Sequence, residues 1–241
     1  MSLNNRPQLS PTDKVAQMNK KYSNSSLENF QHNTNSDQDI QGWRNKLVDF
    51  SSYIYKNPSL LDLGCGLGDK SYRFINKKEK QLDSLHLIDF SNESINFAID
   101  VFKKIDINNK YIIVSDANEY LQKLKDNSIN LVFMFGFLHE VYGRKDLLMN
   151  LKTVLKENYL VIISDNLLHF KLKILKSELN SVFENSYFFR VQKLVKDYKI
   201  LYCFNPIMMK VIKHTGRADK FFTITTNYPK YKLKKLLRLQ N

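Results

Sequence analysis

Three of the chain's seven glycines fall within five positions, at Gly64, Gly66 and Gly68. They stand in Leu60-Leu61-Asp62-Leu63-Gly64-Cys65-Gly66-Leu67-Gly68-Asp69, after an apolar run and before an amphipathic one. Glycine lets the backbone turn sharply and lets a ligand approach the main chain closely. A dinucleotide site needs the spacing G-x-G-x-x-G, and its third glycine position here holds Asp69. A carboxylate there repels a pyrophosphate, because the start of a helix attracts anions. The phosphate loop is absent too, since Gly68 is followed by Asp69 and Lys70. The acid at Asp62, within the end of the apolar run, suits a ligand that carries an ammonium group.

Three later segments hold side chains with matching chemistry. Asp89 closes the next apolar run, at a distance where an acid accepts hydrogen bonds from ribose hydroxyls. Asp116 follows a third run, in Ser115-Asp116-Ala117-Asn118, where it could equally cap a helix. A fourth run leads into Phe135-Gly136-Phe137-Leu138-His139-Glu140. The near-neutral titration of His139 suits a general base. The same side chain could instead only shape a pocket or bond to backbone. Glu140 is expected to face another way, since adjacent residues on a helix diverge. No set of His, Cys and carboxylates has metal-ligand spacing, so no metal is expected.

These residues need a scaffold that brings run ends together. Short apolar runs at 59–63, 85–89, 111–114, 129–135 and 159–164 read as strands. Amphipathic segments between them, from Asp69, Ser91, Asn118 and Arg144, read as helices, with Ser91 as an N-cap. A long helix is expected over about 168–183, and two further strands near 187–191 and 198–204. Ile40, Trp43, Leu47 and Phe50 fall at helical spacing before Pro58. Strict alternation of strand and helix predicts a parallel sheet covered on both faces. The expected organisation is a flexible arm or lid at 1–36, one domain at 37–205 and a basic extension at 206–241.

The glycine segment resembles the first motif of the class I S-adenosylmethionine-dependent methyltransferases, an acid followed by G-x-G-x-G. The resemblance spans about Trp43 to Phe204. It implies an α/β, doubly wound, Rossmann-like, mostly parallel seven-stranded sheet with helices on both faces, and S-adenosyl-L-methionine as cofactor. By this resemblance the cofactor contacts are Asp62, Gly64, Cys65, Gly66, Asp89, Phe90, Asp116, Ala117, Phe135 and Gly136. His139 is then the candidate catalytic residue, in the loop that lines the methyl-transfer site. One departure stands out. Where many members have Pro-Gly-Gly before the fifth strand, this chain has Lys156-Glu157-Asn158-Tyr159. A left-handed Asn158 is expected to make that turn.

Composition narrows the partners. The chain has 241 residues, 43% of them hydrophobic, enough for one buried core. No run is long enough to span a membrane, and the first residues lack a signal-peptide core. Two cysteines, Cys65 and Cys203, cannot build a disulfide framework, so a cytoplasmic setting is expected. The net charge is +13, much of it beyond Pro206, with Lys230, Lys232, Lys234, Lys235 and Arg238 at the end. That tail could meet nucleic acid or simply aid solubility. The Asp/Asn-Pro-Pro-aromatic motif of base N-methylation is absent, and neither cysteine fits cytosine C5 chemistry. A small-molecule acceptor is therefore the leading expectation, ahead of RNA or protein, or a non-catalytic binding module. Tyr142, Tyr202, Phe204, Phe221 and Phe222 could line an acceptor pocket or a homodimer interface. Tyr22 and Trp43 could close over the cofactor.

Overall fold

The computed structural model describes residues 27–36, 39–76, 81–166, 172–183, 186–194, 197–201 and 220–226. Tyr22, Tyr202, Cys203, Phe204 and the basic residues beyond 226 lie outside them. Helices α1 (Leu27–Asn35) and α2 (Asp39–Ile54) precede β1 (Ser59–Leu63). Alternation then follows: α3 (Asp69–Asn76), β2 (Ser84–Asp89), α4 (Asn92–Phe102), β3 (Lys110–Val114), α5 (Ala117–Leu121) and β4 (Ile129–Phe135). A short 3₁₀ turn (Leu138–Glu140), α6 (Arg144–Val154), β5 (Leu155–Asn166) and α7 (Leu172–Val182) come next. Strands β6 (Ser186–Leu194), β7 (Asp197–Leu201) and β8 (Lys220–Thr226) complete the described chain.

The sheet runs β3-β2-β1-β4-β5-β8-β6-β7. Its first five strands pair in parallel, while β8, β6 and β7 pair antiparallel. The doubly wound α/β expectation holds. The strand count does not: eight strands are described where seven were expected. The additional one is Lys-Phe-Phe-Thr-Ile-Thr-Thr, rich in aromatic and β-branched residues that favour strands. Its position within a strongly basic segment hid that pattern. Two expected segment boundaries also meet described structure. Helix α1 lies inside the arm at 1–36, and β8 lies inside the extension at 206–241.

Side chains alternate between two cores because successive strand residues face opposite sides of the sheet. Leu60, Leu85, Leu87, Leu131, Phe133 and Leu160 pack with α2, α3 and α4 on one side. Leu61, Leu63, Ile88, Val132, Met134 and Val161 pack with α5, α6 and α7 on the other. All five residues of β1 are buried. Burying each such aliphatic side chain contributes roughly 1.5–3 kcal/mol, so the strand is fixed by both layers. Ser91 caps α4 as expected, its hydroxyl accepting from the Ser94 N–H at 3.2 Å.

Asn158 does not take the left-handed turn. Among the described residues, Asn127 is the non-glycine with positive φ, at 53°. Helix α6 passes straight into β5, and the extra residues are absorbed by a register shift between Ile129 and Leu131 opposite Leu155 and Leu160. A β-bulge holds extra residues without a sharp turn.

Helix α1 is held at its C-terminal end, where unpaired carbonyls and the helix dipole favour donors and positive charge. Asn45 Nδ2 donates to the carbonyls of Asn33, Thr34 and Ser36 at 3.0, 3.2 and 2.7 Å. Lys70 Nζ donates to Asn33 O at 2.8 Å, and Arg73 donates to Thr34 O at 2.6 Å. Phe30 packs against Tyr72 and Phe97. No described helix is long and apolar enough to cross a membrane.

Candidate active site

Strand β1 lies between β2 and β4, so the order of the parallel half reverses there. Ligands of open α/β sheets bind beyond the carboxyl ends of strands at such a switch point. The glycine turn sits at that place. Gly64, Gly66 and Gly68 all have positive φ, at 68°, 55° and 76°. The Gly64 and Cys65 amides donate to Ile88 O at 2.8 and 3.1 Å, which ties the turn to β2. A Cβ on Gly64 would overlap the Phe137 ring, and one on Gly68 would reach Phe102 at 2.8 Å. A Cβ on Gly66 would meet nothing within 4 Å. Gly66 is thus the point where the turn leaves open space beside bare backbone.

Asp89 stands next to that opening. One carboxylate oxygen accepts from the Gly66 N–H and the other from the Ser91 N–H, each at 2.9 Å. A carboxylate offers about four acceptor sites, the chemistry by which a strand-end acid receives a hydroxyl. The neighbouring Phe90 is exposed. Asp116 caps α5, accepting from Asn118 and Glu119 amides at 2.8 and 3.1 Å. The helix-cap reading of Asp116 is therefore realised, and Ala117 beside it is buried.

Asp62 lies beneath the turn, 2% exposed, and accepts from the Ser71 hydroxyl at 2.7 Å. Burial pushes its pKa up to about 7, offset by the Ser71 bond and reinforced by Asp69 and Asp89. Cys65 is buried, and burial together with the same carboxylates holds its thiol well above the ordinary range. It packs as a neutral side chain rather than a nucleophile. Lys70, 5% exposed, pairs with Asp69 at 2.9 Å and bonds Asn45 Oδ1 at 2.8 Å. Burial lowers its pKa.

The ends of β4 and β5 carry a different group. Gly136 has a φ of 67° and donates to Ser164 O at 2.7 Å. His139 lies in the 3₁₀ turn just beyond. Its backbone N–H donates to Asp165 Oδ2 at 3.1 Å, and its Nδ1 lies 2.8 Å from Asp165 Oδ1. The Asp165 carboxylate therefore flanks the imidazole on its Nδ1 side. Nε2 lies 3.0 Å from Glu140. Adjacent residues do meet here, contrary to expectation, the Glu140 side chain reaching the far nitrogen of the His139 ring. Asp165 first, then Glu140, raise the His139 pKa to about 9 against the opposing effect of burial.

Two residues at this end were not singled out from sequence. Asp165 is the penultimate residue of β5, as Asp89 is the last of β2, and its place near a strand end was the available signal. Arg44 comes from α2, and its Nε lies 3.5 Å from Ser164 Oγ. Nothing in its own sequence neighbourhood marks it. Of the aromatics proposed for an acceptor pocket, Tyr142 is 77% exposed. Phe221 and Phe222 lie on β8, and Trp43 lies on α2.

Residues 54–223 match the family described as a methyltransferase domain. Similar folds occur in solved structures. A SAM-dependent methyltransferase from Aquifex aeolicus is 16% identical with a TM-score of 0.53, covering 91% of this chain and 100% of that one. Phosphoethanolamine N-methyltransferase 2 of Haemonchus contortus, bound to phosphomonomethylethanolamine and S-adenosylhomocysteine, is 14% identical with a TM-score of 0.61. That match covers 88% of this chain and 59% of the other. The plantazolicin methyltransferase BamL, with a triazolic desmethyl analogue and S-adenosylhomocysteine, is 14% identical with a TM-score of 0.54, covering 91% and 92%. No curated protein matches the sequence. The family match spans more than half of the chain and falls on the sheet and turn described above, so this protein belongs to the methyltransferase-domain family, with the fold of the class I S-adenosylmethionine-dependent enzymes.

Proposed function

We propose that the chain transfers a methyl group from S-adenosylmethionine to a small-molecule acceptor. The carrying observation is the opening at Gly66, where no side chain or backbone occupies the volume a Cβ would fill, with Asp89 alongside. This fits a ligand that lies on bare backbone and presents hydroxyls to a strand-end acid. Gly64, Cys65 and Gly66 would hold its amino-acid part, with Asp62 beneath. Asp89 and Phe90 would hold the ribose side, Asp116 and Ala117 the adenine, and Phe135 and Gly136 the opposite wall.

The cofactor supplies an already electrophilic methyl group. What the chain supplies is alignment and the exclusion of water, which together can lower a barrier substantially. His139 faces the acceptor side of this scheme. With a pKa near 9 its ring is a proton donor and a positive charge at neutral pH. It accepts a proton from an acceptor only as the pH approaches that value. The solved small-molecule and natural-product enzymes that share this fold support a small acceptor over a polymer.

Calorimetry with S-adenosylhomocysteine tests the assignment. Wild type is expected to bind, and Asp89→Ala to bind about ten-fold or more weakly, since hydrogen bonds to a charged group contribute roughly 1.5–3 kcal/mol. Equal affinity in both proteins would remove Asp89 from the ribose side. No binding by wild type would sink the cofactor assignment itself.

A further inference from the structure

Strand β3 ends the described sheet, with β2 on one side and no described strand on the other. Its backbone bonds show which groups are already taken. Asn109 O accepts from the Leu85 N–H at 2.8 Å, and the Ser115 N–H donates to Asp89 O at 3.1 Å. Successive residues of a strand direct their backbone groups to alternate sides. Tyr111 and Ile113 therefore continue the set bonded to β2. Lys110, Ile112 and Val114 direct their N–H and C=O groups to the outer edge.

An open row of this kind is a template for a further strand, and proteins guard it with proline, a bulge or charge. Lys110-Tyr111-Ile112-Ile113-Val114 contains no proline, and its register with β2 is unbroken. Its one charge is turned away from the edge. Lys110 Nζ donates to Phe102 O and Ile105 O at 2.8 and 2.9 Å, at the C-terminal end of α4. Apolar surface stays open beside the edge: Tyr111 is 43%, Ile113 37% and Val114 44% exposed. Tyr111 is also held in place, stacked on the buried His86 ring at 4.7 Å, which Tyr120 and Ser84 fix by hydrogen bonds.

The strand is complementary to itself. Set antiparallel about Ile112, it brings Ile112 opposite Ile112 of a second copy, Lys110 opposite Val114, and Tyr111 opposite Ile113. Lys110, Ile112 and Val114 then occupy the hydrogen-bonded positions of the ladder, which is the outward set. Tyr111 and Ile113 occupy the closer, non-bonded positions, where aromatic and β-branched side chains pair favourably. The flanks agree in charge. The chain enters β3 through Lys103, Lys104, Asp106 and Lys110, net positive, and leaves it through Asp116 and Glu119. Antiparallel pairing sets each basic entry beside the other copy's acidic exit, whereas parallel pairing sets like beside like.

From this register we infer that β3 is a homodimer interface, where two copies join edge to edge into one continuous sheet about a two-fold axis at Ile112. The inference does not rest on the cofactor assignment. One strand pair with its flanks is a small interface, so the dimer is expected to dissociate on dilution.

Sedimentation equilibrium of the full chain across the micromolar range, with amide hydrogen exchange on the same samples, tests it. Wild type is expected to pass from monomer to dimer as concentration rises. Over that range the Ile112 and Val114 amides gain protection, while β2 protects those of Tyr111 and Ile113 throughout. Ile113→Glu and Tyr111→Lys, each alone, are expected to weaken the dimer about ten-fold or more, by setting a charge opposite an apolar side chain. An equal mixture of the two variants is expected to regain the dimer, because Glu then faces Lys at one pair and Tyr111 faces Ile113 at the other. That recovery separates a lost contact from a damaged fold. A wild type that stays monomeric at every concentration would overturn the inference. So would single variants that dimerise as wild type does, or a mixture that recovers nothing. Protection of the outward amides in a monomer would give the edge to another segment of the same chain, and would overturn it equally.

Discussion

The two halves of the crevice are built by different means. On the β1–β2 side the geometry is a main-chain matter: three glycines at positive φ, and a carboxylate, Asp89, fastened by two backbone amides. On the β4–β5 side it is a matter of side-chain charge: His139 between Asp165 and Glu140, and Arg44 laid over Gly136. The first kind is sensitive to added atoms, and its titrating group, Asp62, is buried beneath the turn. The second tolerates changes of shape better but follows protonation. One half is thus suited to holding an invariant ligand, and the other to a reaction whose charge changes.

The sharpest way to break this contrast is to add a single methyl group on the β1 side. Gly64→Ala places a Cβ in the Phe137 ring at a φ of 68°. Left-handed strain and overpacking together are expected to cost about 2–4 kcal/mol in denaturant unfolding. Gly66→Ala meets open space and carries the strain alone, about 1–2 kcal/mol. Yet its S-adenosylhomocysteine affinity is expected to fall at least as far as that of Asp89→Ala, because the new methyl occupies the opening. Equal stability losses in the two variants would show that Phe137 yields, and the rigid-backbone description would fail.

Charge changes sharpen the other side. Asp165→Asn removes the first cause of the raised His139 pKa. An NMR titration of the imidazole is expected to move from about 9 toward the ordinary 6.5. The sign for stability follows from linkage. The folded pKa is raised, so the pairing stabilises fully below 6.5 and is lost as pH rises through about 9. Asp165→Asn should therefore flatten the stability of the protein between those values. A titration that stays near 9 would mean Glu140 alone holds the charge.

The smallest effect is expected at Asp62. Its folded pKa is raised from 3.8 to about 7 by burial, so stability declines as pH climbs between those values. Asp62→Asn keeps an acceptor for Ser71 and removes the decline. Its Tm at pH 8 is expected to equal or slightly exceed that of wild type. A clear drop would reveal a partner for the ionised form that burial and Ser71 do not explain.

The same division governs what could be read in advance. Strands β1 to β5, the glycine turn, Ser91 and Asp89 were legible because each is set by local pattern: apolar runs, caps and turns. Asp116 was seen with both of its roles open, and the cap is observed. Arg44 was not legible, because its importance comes from meeting Gly136 and Ser164, far along the chain. Asp165 was missed because its partner, His139, was weighed against Glu140 alone. The insertion of β8 was hidden because antiparallel pairing with β5 and β6 depends on distant strands, and basic composition obscured its alternation.

That insertion has a consequence for assembly. Strand β8 is the sole described bridge between the parallel strands and the β6–β7 hairpin. The hairpin is synthesised before its anchor, so its docking onto the sheet must wait until residues near 226 have left the ribosome. A substitution that weakens this one strand would loosen three at once.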